Sequence, residues 1–299
     1  MLLKETILGI ALSDSGTQAA VIEHEGPQHN LLAIDEWSNT LPLNGGNNGA
    51  GLNQFVGHVA DFLRENQVHA EKASVALDTS QLFINTIPLE GGISRLERND
   101  HVQWELSQYF PEAQEGEFIT DVQPITDNRI EKWIKALSVS VRKPDANAVR
   151  KAVGLLGLDL HVVDVDHFGA DTALRINYPD IERRYMALVG IKERRLDVSV
   201  IKSGVLESYS YSCVSSNSEI LEHIETLSRE TPGLFSITVY GTYLDLDLLA
   251  QIRRRSSLLV EALNPLRHVR VAGSLRLADH LTVPSFRFAA AVGVALRRD

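Results

Sequence analysis

Thr6–Ile22 reads TILGIALSDSGTQAAVI, and far downstream Tyr185–Cys213 reads YMALVGIKERRLDVSVIKSGVLESYSYSC. In the first stretch, apolar and β-branched runs flank Ser13-Asp14-Ser15-Gly16, which is turn chemistry between two strand-like segments and predicts a β-hairpin. Leu31–Trp37 adds a third strand. The second stretch has the same grammar: Tyr185–Ile191, a polar turn, Leu196–Ile201, Ser203-Gly204, then Leu206–Cys213. Two three-stranded meanders in one chain amount to an internal duplication of architecture without a duplication of residues.

Helical and strand patterns follow each meander. After the first comes a loop at Asn44–Gly51 (NGGNNGAG), expected to be mobile because its residues tolerate left-handed backbone. Phe55–Glu65 has helical apolar spacing, and Ala73–Leu77 and Phe83–Pro88 read as strands. Arg95–Tyr109 carries a helical stripe closed by Phe110-Pro111, and Glu117–Pro124 and Trp133–Val141 alternate as strands do. A helix at Pro144–Gly157, a strand at Leu160–Val165, a helix at Phe168–Ile176 and a linker at Tyr178-Pro179-Asp180 complete the first half. The second meander is followed by a helix (Asn217–Glu230), a strand (Phe235–Tyr240), a helix (Leu244–Arg254), a strand (His268–Val271) and a final helix (Ser285–Arg297). The expected fold class is α/β, with two lobes on the plan shared by actin, Hsp70 and the sugar kinases. The first lobe spans 1–176 and holds a β-rich inserted subdomain at about 80–143. The second spans 177–284, and 285–299 packs back toward the first.

Composition narrows the function. A chain of 299 residues is long enough for two lobes, since single cores stop growing at roughly 250–300 residues. A net charge of −10 argues against neutralising a nucleic-acid backbone, and Arg253–Arg255 reads as a solvated helix face. The single cysteine, Cys213, excludes an internal disulfide and a cysteine-based zinc site, and reads as a small buried residue in a reducing compartment. Lys4, Glu5 and Asp14 interrupt the opening apolar run, so Met1–Ala20 is neither a signal peptide nor a membrane span. Any membrane link is expected to run through a partner. The histidines have no zinc-ligand spacing: His24/His29 and His58/His69 are expected in loops or on a helix face, without partners. Neither a G-x-S-x-G elbow nor a G-x-x-x-x-G-K-[ST] loop occurs.

Three segments point to a family. Ile87-Pro88, Val102-Gln103-Trp104-Glu105 and Tyr109-Phe110-Pro111 resemble the PilM run of a proline-ended strand followed by a helix written I-x-W-E-x-x-x-Y-x-P. Gly157-Leu158 leading to Val163-Asp164-Val165-Asp166-His167-Phe168 resembles its glycine-turn, strand and helix junction. Ala291–Arg297 is similar to its closing helix. The order of the motifs carries the resemblance to the type IV pilus assembly PilM family. It implies a cytoplasmic actin-like protein with an insert in the first lobe near Ser80–Lys143. It also implies a groove beside that insert for the cytoplasmic N-terminal peptide of a PilN-like inner-membrane protein, in pilus or related secretion machinery.

The same resemblance frames the nucleotide site. Actin-like ATPases hold phosphates between two β-hairpins, with glycines for close approach and an aspartate toward magnesium. The family's first hairpin reads roughly G-I-D-I-G-x-x-x-x-K, and here the stretch is Gly9–Gln18. The aspartate has become Ala11, the glycine Ser13 and the lysine Gln18; Asp14 and Gly16 lie nearby, out of register. The second hairpin's D-x-G is replaced by Gly190-Ile191-Lys192, and the adenosine-facing glycine run is reduced to Tyr240-Gly241-Thr242-Tyr243. The expected state is a degenerate site with no cofactor and no catalysis. The alternative is an ATP-binding protein or slow ATPase, with ATP and magnesium served by Asp14, Gly16 and Lys192.

Two further constellations each carry two readings. Asp164 and Asp166, two apart on a strand beside His167, suit either a carboxylate or metal site or, as the resemblance favours, the capping of the next helix. Trp104, Tyr109 and Phe110 form an aromatic cluster that is either core packing or the anchoring wall of the peptide groove.

Overall fold

The computed structural model describes residues 4–43, 49–113, 116–125, 133–272 and 284–298. The opening stretch forms the antiparallel meander of β1 (Lys4–Ser13), β2 (Gly16–Glu25) and β3 (Gln28–Trp37). Its first turn is locked locally, where the Ser13 hydroxyl donates to the Gly16 carbonyl at 2.9 Å. Helix α1 (Gly49–Glu65) turns Leu52, Phe55, Val59 and Phe62 inward, a spacing that keeps one face on the sheet. It starts earlier than the expected Phe55 and takes in Gly49–Gly51; the rest of the expected loop, 44–48, lies outside the described residues. Strand β4 (Lys72–Leu77) then pairs parallel with β1.

The insert is a separate small sheet. Strands β5 (Phe83–Glu90), β6 (Phe118–Pro124) and β7 (Trp133–Arg142) lie antiparallel in the order β5-β7-β6. Helix α2 (Arg95–Tyr109) covers one face. A capping box starts α2: Ser94 Oγ accepts from the Glu97 N–H at 3.3 Å, and Glu97 Oε2 accepts from the Ser94 N–H at 2.8 Å. Val102 and Leu106 then pack on Ile87, Leu89, Phe118 and Ala136.

Helix α3 (Lys143–Leu155), with proline in its first turn, leads to β8 (Asp159–Val165), which pairs parallel with β4. Helix α4 (Asp166–Asn177) begins two residues before the expected Phe168. The second lobe repeats the plan. Strands β9 (Tyr185–Ile191), β10 (Arg195–Lys202) and β11 (Val205–Cys213) form the meander, followed by α5 (Asn217–Glu230), β12 (Ser236–Tyr240), α6 (Leu246–Arg255) and β13 (Leu259–Ala262). The sheet order β11-β10-β9-β12-β13 mirrors β3-β2-β1-β4-β8, each a meander extended by two parallel strands. Sequence periodicity missed β13, whose four residues bury only Val260 fully. Cys213, expected to be buried, is exposed at the end of β11.

The chain returns to the first lobe earlier than expected. Strand β14 (Arg270–Val271) pairs parallel with β3, so the boundary expected near 284 falls before Arg270. A single 3-10 turn (Ser285–Phe288) precedes α7 (Ala289–Leu296), and every residue of α7 is buried. Among Ala11, Ala20, Ala76 and Ile22 it fills the space behind the first sheet. Its approach to α4 is so close that a Cβ on Gly293 would stand 1.7 Å from the Gly169 carbonyl oxygen.

Candidate functional site

The β1–β2 turn of the first lobe and the β9–β10 turn of the second line opposite sides of a cleft of about 560 Å³. Ser13, Asp14, Ser15 and Gly16 form one wall; Lys192, Glu193, Arg194 and Arg195 form the other. A smaller cavity of about 30 Å³ adjoins its floor, sharing Ser13, Gln18, Asp78 and Lys192 with it and lined also by Ala11, Asp166, Tyr240 and Gly241.

The floor is held by an ion cluster that joins the lobes. Lys192 Nζ lies 2.6 Å from Asp166 Oδ2 and 3.2 Å from both Asp78 Oδ1 and Asp197 Oδ2. It also donates to Thr79 Oγ1 at 2.5 Å, and that hydroxyl donates on to Asp197 Oδ2 at 2.8 Å. Asp78 and Thr79 follow β4 in the first lobe, whereas Lys192 and Asp197 flank the β9–β10 turn in the second. Asp197, fully buried, is further held by Arg195 Nε at 2.9 Å and by the Tyr209 hydroxyl at 2.7 Å.

These groups set one another's protonation. Burial works against the Lys192 ammonium, but the surrounding Asp166, Asp197 and Asp78 outweigh it and hold its pKa above the usual lysine value. Burial likewise opposes the Asp197 carboxylate, yet the Lys192 and Arg195 charges keep it well below the usual range. Asp166 goes the other way: burial, joined by the nearby Asp78 and Asp197 charges, outweighs Lys192 and pushes it up to about 7. Behind it, His167 is wholly buried, with Nδ1 2.9 Å from the Tyr240 hydroxyl and Nε2 2.8 Å from Ser199 Oγ. Burial lowers its pKa to about 4, so the ring is neutral.

The structure brings most of the nucleotide-site candidates together. Ala11 and Gln18 face each other across the β1–β2 ladder, both buried. Gly190 is held against Tyr240, whose hydroxyl oxygen would be 2.6 Å from an added Cβ, and Gly241, at φ +135°, lies against the Ile191 backbone. Both glycines thus accommodate the protein's own groups. Lys192, the candidate phosphate ligand, is instead a buried member of the ion cluster. Above it, Arg287 grips Glu36 with contacts of 3.2 to 3.3 Å and donates to the Thr242 carbonyl.

A magnesium-bound triphosphate needs free backbone N–H groups beside glycines and a carboxylate directed at the metal's water. The residues here do not fit that need: Ala11 offers no carboxylate, and an ammonium already sits among the acids that remain. Among the described residues, no group of three His, Cys, Asp or Glu stands arranged for a metal ion.

Other readings change. Asp164 and Asp166 take different side-chain partners, while Asp164 Oδ1 accepts from the Val165 N–H and Asp166 Oδ1 from the His167 N–H in the first turn of α4, each at 2.7 Å. Asp164 pairs with Arg297, Asp166 opens α4 against Lys192, and the cap residue Val165 makes no side-chain cap bond. His24 and His29 face each other in the β2–β3 ladder, 2.9 Å apart between their Nδ1 atoms, and His24 Nε2 lies 2.8 Å from the Ala295 carbonyl. They sit on strands with partners, contrary to expectation.

A second cavity, of about 500 Å³, lies beside the insert. Ile119 of β6, Val139 and Val141 of β7, and Leu160 and Val163 of β8 line it. Strands β6 and β8 are each outermost in their sheets, so two edges border the groove. Trp104, Tyr109 and Phe110 do not line it, because α2 covers the opposite face of the insert sheet, through Phe118, Val122 and Ala136. Nor are they one cluster: Tyr109 and Phe110 meet at Phe83, with centroids at 4.8 and 5.4 Å, whereas Trp104 stands 58% exposed beside His101. The groove residues were visible in the sequence only as the second face of the alternation in Glu117–Pro124 and Trp133–Val141.

Duplicated sheets enclosing a cleft, with an insert on the first lobe, define an actin-like protein. No family model matches the chain. A solved PilM–PilN type IV pilus biogenesis complex is similar over 97% of this chain and 98% of that one, with a TM-score of 0.79 at 16% identity. In fold this chain is PilM-like, as the sequence motifs implied. A Bacteroides thetaiotaomicron protein with an actin-like ATPase fold covers 87% of this chain and 91% of its own, with a TM-score of 0.54 at 16% identity.

Proposed function

We propose that this chain is a non-catalytic, actin-like scaffold of a type IV pilus or related secretion machine. Its groove between β6 and β8 takes the cytoplasmic N-terminal segment of a PilN-like inner-membrane protein. The observation that carries this reading is the groove itself: apolar side chains, among them Ile119 at 49% and Val163 at 38% exposure, lie open between two sheet edges. An unpaired edge offers backbone hydrogen bonds to an extended peptide, and flanking apolar side chains give it pockets for alternate residues. The fold likeness to a PilM–PilN complex supports the choice of partner. No described helix is long and apolar enough to cross a membrane, so membrane association on this reading comes from the partner and the chain works at the cytoplasmic face.

The test is fluorescence titration with a labelled N-terminal peptide of the PilN-type protein encoded in the same genome. Saturable binding that Ile119→Glu and Val163→Glu each weaken at least tenfold, with an unchanged unfolding midpoint, is the expected result. Binding that ignores both substitutions, or no binding, overturns the reading. The non-catalytic part has its own test, thermal shift with magnesium ATP. A ligand at 100 times its dissociation constant stabilises by about 2.7 kcal/mol, so a clear rise at millimolar nucleotide restores the ATP-binding alternative.

A further inference from the structure

The groove beside the insert runs on toward the second lobe. A further cavity, of about 460 Å³, shares Gln123, Leu137, Asp164, Phe168 and Arg297 with it, so the two form one trough. Strands β6 and β8 advance along it together: Ile119 and Leu160 line the groove, Gln123 and Asp164 stand where the cavities meet, and Pro124 and Ile125 line the second. Past β8 the wall passes to α4, through Asp171 and Arg175, and Gly204, Val205 and Leu206 of the second lobe close the far side. We propose that the partner segment held between β6 and β8 continues into this second cavity and rests on the β10–β11 turn, so that one extended chain touches the insert and both lobes.

Three observations carry the proposal. The turn is already seated over the trough, because the Arg175 guanidinium of α4 holds Asp171 Oδ2 at 2.6 Å and also donates to the Gly204 carbonyl. A first-lobe side chain thus fixes the second-lobe turn before any partner arrives. Val205, the next residue, is apolar and 57% exposed at the rim, a contact surface without a described occupant. The second observation is charge. Asp171 pairs with Arg175 and Asp164 with Arg297, so the charged groups of this cavity answer one another, and Ile125, Leu137 and Phe168 make up much of the remaining wall. Such a lining suits uncharged, apolar-bearing chain and disfavours a lone buried charge. The third is length. From Ile119 to Pro124, β6 spans about 17 Å, so an added strand uses about six residues along it and any further residue enters the second cavity. A trough walled by the insert and both lobes admits one extended chain, whereas the convex surface of a second copy would not enter it.

This proposal rests on the peptide reading of the groove, and the experiment keeps their failures apart. The labelled peptide of the titration above is applied to wild type, Ile119→Glu and Val205→Glu, and amide hydrogen exchange of wild type is followed with and without it. Val205→Glu is expected to weaken binding by about fivefold, with an unchanged unfolding midpoint. The peptide is expected to slow exchange at residues 203–206 as well as in β6. The proposal needs both effects, and the absence of either overturns it. If Ile119→Glu weakens binding while Val205→Glu does not and residues 203–206 exchange as before, the groove reading stands and the extension fails. Binding that ignores both substitutions, or no binding, sinks the two together. Should Val205→Glu lower the unfolding midpoint, Val205→Asn replaces it under the same criteria.

Discussion

At Gly293 a single hydrogen in place of a methyl group sets how closely two helices pack. The position looks unremarkable in Ala291–Arg297, yet an added Cβ would fall 1.7 Å from the Gly169 carbonyl oxygen, a fixed backbone atom. Relief requires α7 to move away from α4 along a fully buried face. Gly293→Ala is therefore expected to cost about 3 kcal/mol, as overpacking of a tight core does, and the urea midpoint reads it. Tyr240 behind the cleft gives a smaller case. Its hydroxyl meets His167 Nδ1 at 2.9 Å inside the core, so Tyr240→Phe leaves a buried ring nitrogen unpaired. The expected loss is about 1–3 kcal/mol, measured in the same way. In the sequence Lys192 read as a turn cation available to phosphate. Two of its carboxylate partners, Asp78 and Asp166, lie far away along the chain, and no local pattern announces them.

Among the elements, the insert shows why alternation needs both faces read. Phe118 and Val122 of β6 and Ile134 and Ala136 of β7 pack under α2, which the helical stripe of Arg95–Tyr109 signalled, whereas Ile119, Asp121 and Gln123 of β6 and Leu137, Val139 and Val141 of β7 open into the groove. Trp104 lies on the covered side's outer surface. Trp104→Ala is thus expected to leave peptide affinity within twofold and to change stability by no more than about 0.5 kcal/mol. Peptide titration and urea unfolding check the two halves of that statement. Helix α2 depends on its first turn. Removing the capping hydroxyl with Ser94→Ala is expected to cost about 1 kcal/mol, seen as faster amide exchange at the start of α2. The capping box was not read from the sequence, although Ser94 and Glu97 stand at its spacing along one turn.

Across the whole molecule, buried histidines set the acid limit. His24 and His167 are fully buried and His29 partly so, and burial is the main cause that lowers all three pKa values, His29 and His167 to about 4. His29 also faces the His24 ring and the Arg298 charge. A histidine whose folded pKa lies below its unfolded 6.5 binds fewer protons when folded. Its stabilisation is complete above about pH 6.5 and is lost as the pH falls toward 4. Asp166 opposes this: raised to about 7 from its unfolded 3.8, it favours the folded state most at low pH and loses that effect as the pH rises through 7. Asp171, also raised by burial, acts in the same sense as Asp166, whereas the lowered Asp197 and Glu5 lose stabilisation on acidification as the three histidines do, so the melting temperature is expected to fall between pH 6.5 and 4. His29→Asn, which removes one member of the β2–β3 pair, should flatten that slope, and thermal melts across the range check it.

The sequence by itself determined what local pattern controls: two meanders, their following helices and strands, the insert, and Ala11, Ser13 and Gln18 at the places where the PilM pattern has an aspartate, a glycine and a lysine. Strand alternation, helical spacing and turn residues are properties of neighbours in the chain, so they can be read without the fold. Tertiary structure alone decided the pairing of β14 with β3, the enclosure of α7, and the gathering of Asp78, Asp166 and Asp197 around Lys192. Each depends on segments distant in sequence meeting in space, where burial, rather than sequence proximity, fixes which charges must pair.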